Sequence, residues 1–431
     1  MKNLKINGKN FVLNTVKNLF VKKLCHSAFY YTLYIIHCTL YIIRCCSTIQ
    51  LFNYSTVQLF NRRRRSLYII HCTLYIILSL SSFAFADFTL GIYGVNDENE
   101  IPVIKQAGFN TVQTYNQNPE YISRLAEKTK QYDMQLLVYP NRVIGGEYEN
   151  EAHNYPMSAW YICDEPDVNH VSYDNMTERD SVCKNTFPEH KTAFVIGQGK
   201  TKIAFYDICD ILMMDWYPVP HLPLESFGQN VALAKQGMID SGCPDKPLWA
   251  VVQIFDWKEF KQFRPDNDRI GRFPTKEEIR FMSYDAIFNG ATGLFYFVYG
   301  SKGIPLPKSR PDEWKYISEV IQELSFMGNI FENGEKIKPS VKVKTPLKIM
   351  SYKYEGEKYT VVENPTNESQ PLPKKFFNKK KFELLFENIS PQTPSQAQTP
   401  SQSSAPSGRE SSSGKSSSLI PPYHPLVFKH I

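Results

Sequence analysis

Residues 160–166 read Trp-Tyr-Ile-Cys-Asp-Glu-Pro, an apolar, β-favouring run that ends abruptly in two carboxylates and a proline. Proline cannot donate to a sheet ladder, so the strand stops there and Asp164 and Glu165 sit at its C-terminal tip. In parallel α/β folds that tip is where chemistry is placed. An acidic pair before a proline is also an ordinary loop or helix-start device. Its meaning therefore depends on what the neighbouring strands carry.

On both sides of this stretch the chain alternates strand and helix through short links. Strands are expected at 88–94, 109–115, 135–139, 157–163, 192–196, 210–214, 248–255 and 291–298. Helix starts are marked between them. Asn118-Pro119 is a cap followed by a first-turn proline, and Thr275 with Glu278 makes a capping box. The segment 311–326 is amphipathic, with Trp314, Ile317, Ile321 and Leu324 on one face. Eight strands and about eight helices over roughly 250 residues fit an α/β (β/α)8 TIM barrel, spanning 87–337. A doubly wound open sheet is the alternative, but no Gly-x-Gly-x-x-Gly turn follows the first strand.

Beyond Gly328 the pattern shifts to short strands at 347–354, 358–363 and 381–386, separated by turns such as Glu355-Gly356-Glu357. This reads as a small C-terminal β-sandwich-like domain over 338–431. The Ser/Pro-rich stretch 391–418 is expected to be a disordered excursion from it. Residues 423–431 regain strand character and are expected to return to the sheet.

Residues 1–86 form a leader. Arg62 to Arg65 precede an apolar run at 67–80 and the small-residue pattern Ala84-Phe85-Ala86, the layout of a secretory signal over about 62–86. Cleavage near Ala86 would export the rest to the periplasm, cell surface or medium. An uncleaved leader would be the only membrane contact. The apolar run is shorter than the ~20 residues of a spanning helix. Residues 33–43 recur letter for letter at 67–77, and such short exact repeats match no solenoid period; translated upstream DNA, a misplaced start codon and a membrane-active N-terminus are the open readings.

The formal charge of +6 is a property of this leader, which holds eleven of the 49 Lys and Arg and no acid. The remainder carries 38 basic against 43 acidic residues, a net −5, so nucleic acid is not an expected partner. Four cysteines lie outside the leader: Cys163, Cys183, Cys209 and Cys243. A Cys209–Cys243 disulfide and buried free thiols are both open. No spacing suggests a metal site, and no cofactor is expected.

The C-terminal tips of the eight strands carry a coherent set of groups. They offer Tyr93, then Gln113 and Tyr115, then Tyr139, Asn141 and Arg142. Next come Asp164 and Glu165, then Asp215, Trp216 and Tyr217, then Gln253, Asp256 and Trp257, and last Tyr296 and Tyr299. Carboxylates, amides and aromatic faces on one rim suit a poly- or oligosaccharide, whose hydroxyls take polar bonds and whose C–H faces lie on rings. Glycosidic hydrolysis needs two carboxyl groups, one of them an acid with a raised pKa. Glu165 suits that acid. Asp215 and Asp256 are the candidate partners. Asp164, Gln253, Tyr93, Tyr115, Asn141, Arg142, Trp216, Tyr217, Trp257 and Tyr296 are the candidate substrate contacts.

On these residues the chain resembles the clan of retaining glycoside hydrolases built on (β/α)8 barrels. In that clan the fourth strand ends in Asn-Glu-Pro, with Glu as acid/base, and the seventh carries a nucleophilic Glu. Asp164-Glu165-Pro166 matches the first motif with Asp for Asn. Residues 246–253 resemble the seventh strand, with Gln253 standing where the nucleophile would be. The resemblance implies a carbohydrate-active enzyme. Three courses remain open: Asp256 as nucleophile, Asp215 or Asp256 as base in an inverting reaction, or a glycan-binding barrel without turnover.

Overall fold

The computed structural model describes residues 88–197, 205–263, 271–301, 303–386 and 419–431; the leader and the Ser/Pro-rich stretch, with the export, repeat and disorder expectations attached to them, lie outside these. Eight parallel strands close into a barrel in sequence order: β1 (Thr89–Ile92), β2 (Thr111–Gln113), β3 (Gln135–Val138), β4 (Met157–Asp164), β5 (Thr192–Ile196), β6 (Ile211–Asp215), β7 (Leu248–Gln253) and β8 (Gly293–Phe297). The ring is sealed where β1 pairs with β8, in register from Thr89 with Gly293 to Ile92 with Tyr296.

The connections carry helices α1 (Ile101–Gln106), α2 (Pro119–Gln131), the single turn α3 (Glu149–Ala152), α4 (Tyr173–Thr186), α5 (Ser226–Asp240) and α6 (Lys276–Phe288). After β8 come a short hairpin of β9 (Gly300–Ser301) and β10 (Ile304–Pro305), then α7 (Leu306–Ser309) and α8 (Pro311–Asn333). Both sequence-level helix starts are realised. The Asn118 side chain accepts from Glu120 and Tyr121 amides, and Thr275 and Glu278 complete a reciprocal capping box. The described residues between β5 and β6 form turns and contribute no helix.

Alternation along each strand sorts the core into two shells. Odd positions such as Leu137, Ala159, Tyr161, Ala193, Val195, Met213, Trp249, Val251 and Phe295 fill the barrel interior. Their neighbours Leu136, Val138, Trp160, Phe194, Leu212, Met214, Ala250, Val252 and Leu294 face the helices. At the lower end Trp249 stacks on Phe295 with centroids 5.3 Å apart. Two such rings fit in one barrel because Gly91 and Gly293 supply no side chain. A Cβ on Gly91 would lie 2.2 Å from the Phe295 ring, and one on Gly293 2.5 Å from Trp249.

The chain then builds an antiparallel sheet in the order β11 (Glu335–Ile337), β12 (Lys348–Tyr354), β13 (Glu357–Asn364), β17 (His424–His430), β15 (Phe382–Leu385). A two-stranded ribbon of β14 (Gln370–Pro371) and β16 (Leu419–Ile420) covers one face, where Val362, Leu426 and Phe428 meet Leu372, Phe376 and Ile420. The opposite face gives Met350, Val361 and Val427 to the core shared with the barrel helices. The last strand thus returns to the sheet, as its alternation implied. Two buried polar junctions fix the sheet to α6 and α8. Arg280 bonds Glu323 at 2.8 Å and also donates to the Pro425 carbonyl at 2.6 Å, and Lys348 donates to Asp285 at 2.6 Å. The four cysteines are free thiols, so no Cys209–Cys243 disulfide forms. Among the described residues no helix is long and apolar enough to cross a membrane.

If the glycine-for-ring exchange governs the barrel's lower layer, Gly91→Ala should destabilise the protein by about 1–3 kcal/mol in denaturant unfolding. A change within about 0.5 kcal/mol, the range of ordinary surface substitutions, would contradict that packing.

Candidate active site

The site begins with an irregularity in β4. Trp160 points outward and stacks on Phe187 at 4.8 Å, and Tyr161 points into the barrel. The register with β5 then slips between Tyr161 and Cys163, so Ile162 and Cys163 both pack in the outer core. The Ile162 carbonyl accepts from Arg179 of α4 at 3.3 Å. Because of this bulge Asp164 faces inward, where Tyr161 Oη donates to its Oδ1 at 2.5 Å.

Glu165 follows in the left-handed region, with φ +41°. That conformation is costly for a residue with a side chain and persists only where the surroundings impose it. They do so here: the Glu165 carbonyl accepts from the Val168 and Asn169 amides, and the Asn169 side chain caps the Asp164 carbonyl at 3.0 Å. Asp167 holds the tip of β5 by accepting from the Gly197 amide at 3.1 Å. Gly197 leaves the space that Glu165 occupies, since a Cβ there would stand 2.8 Å from Oε1.

Asp215 ends β6 on the inward side and is 7% exposed. Tyr217 Oη donates to its Oδ2 at 3.0 Å, and its carboxyl neighbours that of Glu165. Burial pushes Asp215 well above the ordinary carboxylate range, and the adjacent charges of Glu165 and Asp164 push it further. Glu165 is also raised, first by burial and then by Asp164, while the neighbouring Asp215 carboxyl favours its ionised form. The proton of the pair therefore rests on the deeper Asp215. Asp164 is raised by burial against the opposing bond from Tyr161.

Aromatic rings enclose these acids. Tyr93 forms the floor, 2% exposed, its hydroxyl 3.7 Å from Met213 Sδ and its ring 6.1 Å from Tyr115. Tyr115, 38% exposed, lines the mouth, and Tyr139 meets Tyr161 edge-on at 5.0 Å. On the far side Tyr217 packs against Phe255 at 5.0 Å and Phe297 at 5.6 Å, with Trp257 5.0 Å from Phe255. Of the expected rim residues, Glu165, Asp164, Asp215, Tyr93, Tyr115, Tyr217 and Trp257 are thus gathered at one end of the barrel.

Others are placed elsewhere. The Gln253 amide is fully buried and committed: its Oε1 accepts from Val219 N at 2.9 Å, and its Nε2 donates to the carbonyls of Val219 and Phe255. It ties down the loop after β6 and presents nothing to a substrate. Tyr296 faces outward, bonded to Ser283 of α6 at 2.8 Å. Trp216 also turns toward the helices, donating to Ser226 at 2.9 Å. Asp256 accepts from the Lys258 amide at 2.9 Å and lies 3.7 Å from Arg310, which itself bonds Glu259. Its carboxylate orders the loop after β7. Asn141 and Arg142 are exposed in the turn after β3. Tyr161, Asp167, Gly197, Phe255 and Phe297 complete the site without having been singled out. Tyr161 was accessible from alternation with Ala159. Among the described residues no group of three or more His, Cys, Asp or Glu is arranged to hold a metal ion.

No family model and no curated relative matches the chain. Solved structures similar to it include an α-amylase from Geobacillus thermoleovorans complexed with acarbose, at 11% identity and TM-score 0.43 over 80% of this chain and 99% of that one. Amy13B of Eubacterium rectale is similar at 8% identity and TM-score 0.47, over 80% and 96%. A GH30 endoxylanase from Clostridium papyrosolvens is similar at 12% identity and TM-score 0.42, again over 80% and 96%. Likeness at this level speaks to neither substrate nor mechanism. The fold stands on the closed parallel barrel itself, the architecture implied by the resemblance on Asp164-Glu165-Pro166.

Two outcomes follow from the site's electrostatics and packing. The native state binds a proton at Asp215 more tightly than the unfolded chain does, so stability falls as pH rises from the ordinary carboxylate range toward the raised value. Asp215→Asn removes that loss and should raise Tm at pH 7 by at least about 2 °C, a gain that vanishes below about pH 4. An unchanged or lower Tm at pH 7 would contradict the buried protonated acid. Gly197→Ala should cost no more than about 1–3 kcal/mol in denaturant unfolding and leave the protein folded, because the Glu165 carboxyl, 2.8 Å from the new Cβ, and the Val168 methyl, 2.9 Å from it, must both shift. Any Glu165-dependent activity should nonetheless fall about tenfold or more, since misplacement on the ångström scale is that costly to catalysis. Full activity in this variant would refute the placement of Glu165 against Gly197.

Proposed function

We propose that this protein hydrolyses glycosidic bonds in a poly- or oligosaccharide, with the Glu165–Asp215 pair as its proton store. One observation carries the reading: two carboxyl groups, Glu165 half-buried against Gly197 and Asp215 buried and bonded to Tyr217, lie at the C-terminal mouth of a (β/α)8 barrel inside a ring of aromatic side chains. A raised carboxylic acid is the group that must protonate the leaving oxygen at neutral pH. The rings of Tyr115, Tyr139, Tyr217 and Trp257 supply faces for sugar C–H groups, and the carboxylates supply acceptors for hydroxyls. Glu165 is the more accessible half of the pair and is the one placed to meet substrate. Export after cleavage near Ala86 belongs to the same proposal and is supported by the signal-like layout of residues 62–86.

A second reading has its own supporting observation. The seventh-strand position that resembles a nucleophile is a neutral amide locked to Val219, which fits a barrel that binds glycans without cleaving them. Screening the full chain on a glycan panel beside Glu165→Gln separates the two. The hydrolase reading predicts turnover that falls at least about 100-fold in the variant, with a rate that declines as pH rises through the pair's raised pKa. Binding that survives in both proteins, with no turnover of any glycan, would overturn it.

A further inference from the structure

Charge divides unevenly between the two halves of the fold. Residues 87–334 carry 23 Lys and Arg against 35 Asp and Glu, a net −12, whereas residues 335–431 carry 15 against 8, a net +7. The overall −5 outside the leader hides this division. Within the basic half, residues 374–381 read Lys-Lys-Phe-Phe-Asn-Lys-Lys-Lys, five lysines in eight positions.

The C-terminal sheet anchors this stretch at both ends. Phe376 is buried and stacks on Phe428 of β17 at 4.6 Å, and Phe382 of β15 meets Phe376 at 5.1 Å. Between these anchors the Asn378 carbonyl accepts from the Lys381 and Phe382 amides at 2.8 and 3.0 Å, and Asn378 Oδ1 accepts from the Lys380 amide at 3.1 Å. With Phe376 turned in, Phe377 is turned out and is 50% exposed. All five lysines are exposed. Lys375 Nζ donates to the Ser340 carbonyl at 3.2 Å, and none of the five forms an ion pair among the described residues. Glu383, the next acid along the chain, lies opposite Lys429. In the ribbon that leads into the stretch, Leu419 pairs with Pro371 and is 49% exposed, while its neighbour Ile420 is buried.

We propose that this face of the C-terminal sheet docks on an anionic lipid bilayer, with the five lysines over the phosphates and Phe377 entering the headgroup layer. The inference is independent of the reaction proposed above, and the contact is separate from any that the leader makes. Five ammonium groups held this close repel one another, and a plane of anions relieves that repulsion. The attraction of each lysine to an anionic leaflet adds along the cluster. An exposed phenylalanine gains by leaving water and asks for no hydrogen bond in return, which suits the interface of a bilayer. A neutral glycan asks for donors and acceptors beside the ring, and the one uncharged polar side chain of the stretch, Asn378, is committed to its own turn. The barrel favours the same occupant. Over an anionic plane the −12 half is repelled while the +7 half is drawn in, so the molecule is oriented as well as held.

The test uses the full chain with vesicles of phosphatidylcholine, alone or with about 30 mol% phosphatidylglycerol. Phe377→Trp puts a fluorescent reporter in the face, read as the emission difference from wild type, so binding through the leader cancels. The expected result is a blue shift and quenching by brominated lipid on the anionic vesicles alone, both lost as salt rises from about 50 mM to about 500 mM. Gln in place of all five lysines, in the same background, should abolish the shift and weaken binding at this face about 100-fold or more. Tm should stay within about 2 °C, because the replaced side chains are exposed. Sedimentation with anionic vesicles and no change at the reporter would overturn the inference and assign the binding to the leader. A reporter shift produced equally well by soluble polygalacturonate or duplex DNA, without lipid, would overturn it in favour of another polyanion. Neither outcome touches the glycosidase reading.

Discussion

Everything at the mouth of this barrel depends on two carboxyl groups that are too close, and too well buried, to ionise independently. Asp215 is the deeper of the two, and burial together with the charges of Glu165 and Asp164 holds its carboxyl well above the ordinary range. Neighbouring like charges repel strongly in a low-dielectric setting, so the two groups titrate as a pair. The protein invests stability to hold it. Acids this buried favour the unfolded chain at neutral pH, and Glu165 adds the strain of a left-handed backbone.

The rest of the fold supplies the rigidity that makes this arrangement possible. The interior is filled from below by Trp249 and Phe295, which fit because Gly91 and Gly293 withdraw. Tyr93 closes that packing from above and floors the site. At the β1–β8 seam, Glu100 takes a bond from Tyr299 at 2.7 Å and from Lys308 at 2.8 Å, joining the first loop to the last. Farther out, the Arg280–Glu323 pair and the Pro425 carbonyl secure the C-terminal sheet to the helix layer. Each of these contacts limits how far the strand tips can drift.

The architecture was legible because it is written in periodicity. Strand alternation, helix caps and short links repeat along the chain, and the closed ring follows their order. The site was legible only in part, and the reason is one of single-residue steps. Tyr296 neighbours the inward Phe295 and Phe297, so it must face the helices; Trp216 follows the inward Asp215 and does the same. Strict alternation would have put Asp164 outside as well, and only the bulge after Tyr161 brings it in. No residue pattern announces that bulge. Gln253 is inward by alternation, yet the loop carrying Val219 folds over it, a long-range event that spacing cannot reveal. The contact between Glu165 and Asp215 joins residues fifty positions apart and is likewise invisible along the chain.

The central claim is that Glu165 and Asp215 hold one proton between them. Carbon-13 NMR titration of the side-chain carboxyls in the full chain, with Glu165→Gln and Asp215→Asn as assignments, reads it directly. The account predicts two linked steps, one of them well above the ordinary carboxylate range, and a downward move of the Asp215 step when Glu165 is made neutral. Independent titration of both groups near pH 4, unaffected by either substitution, would contradict it.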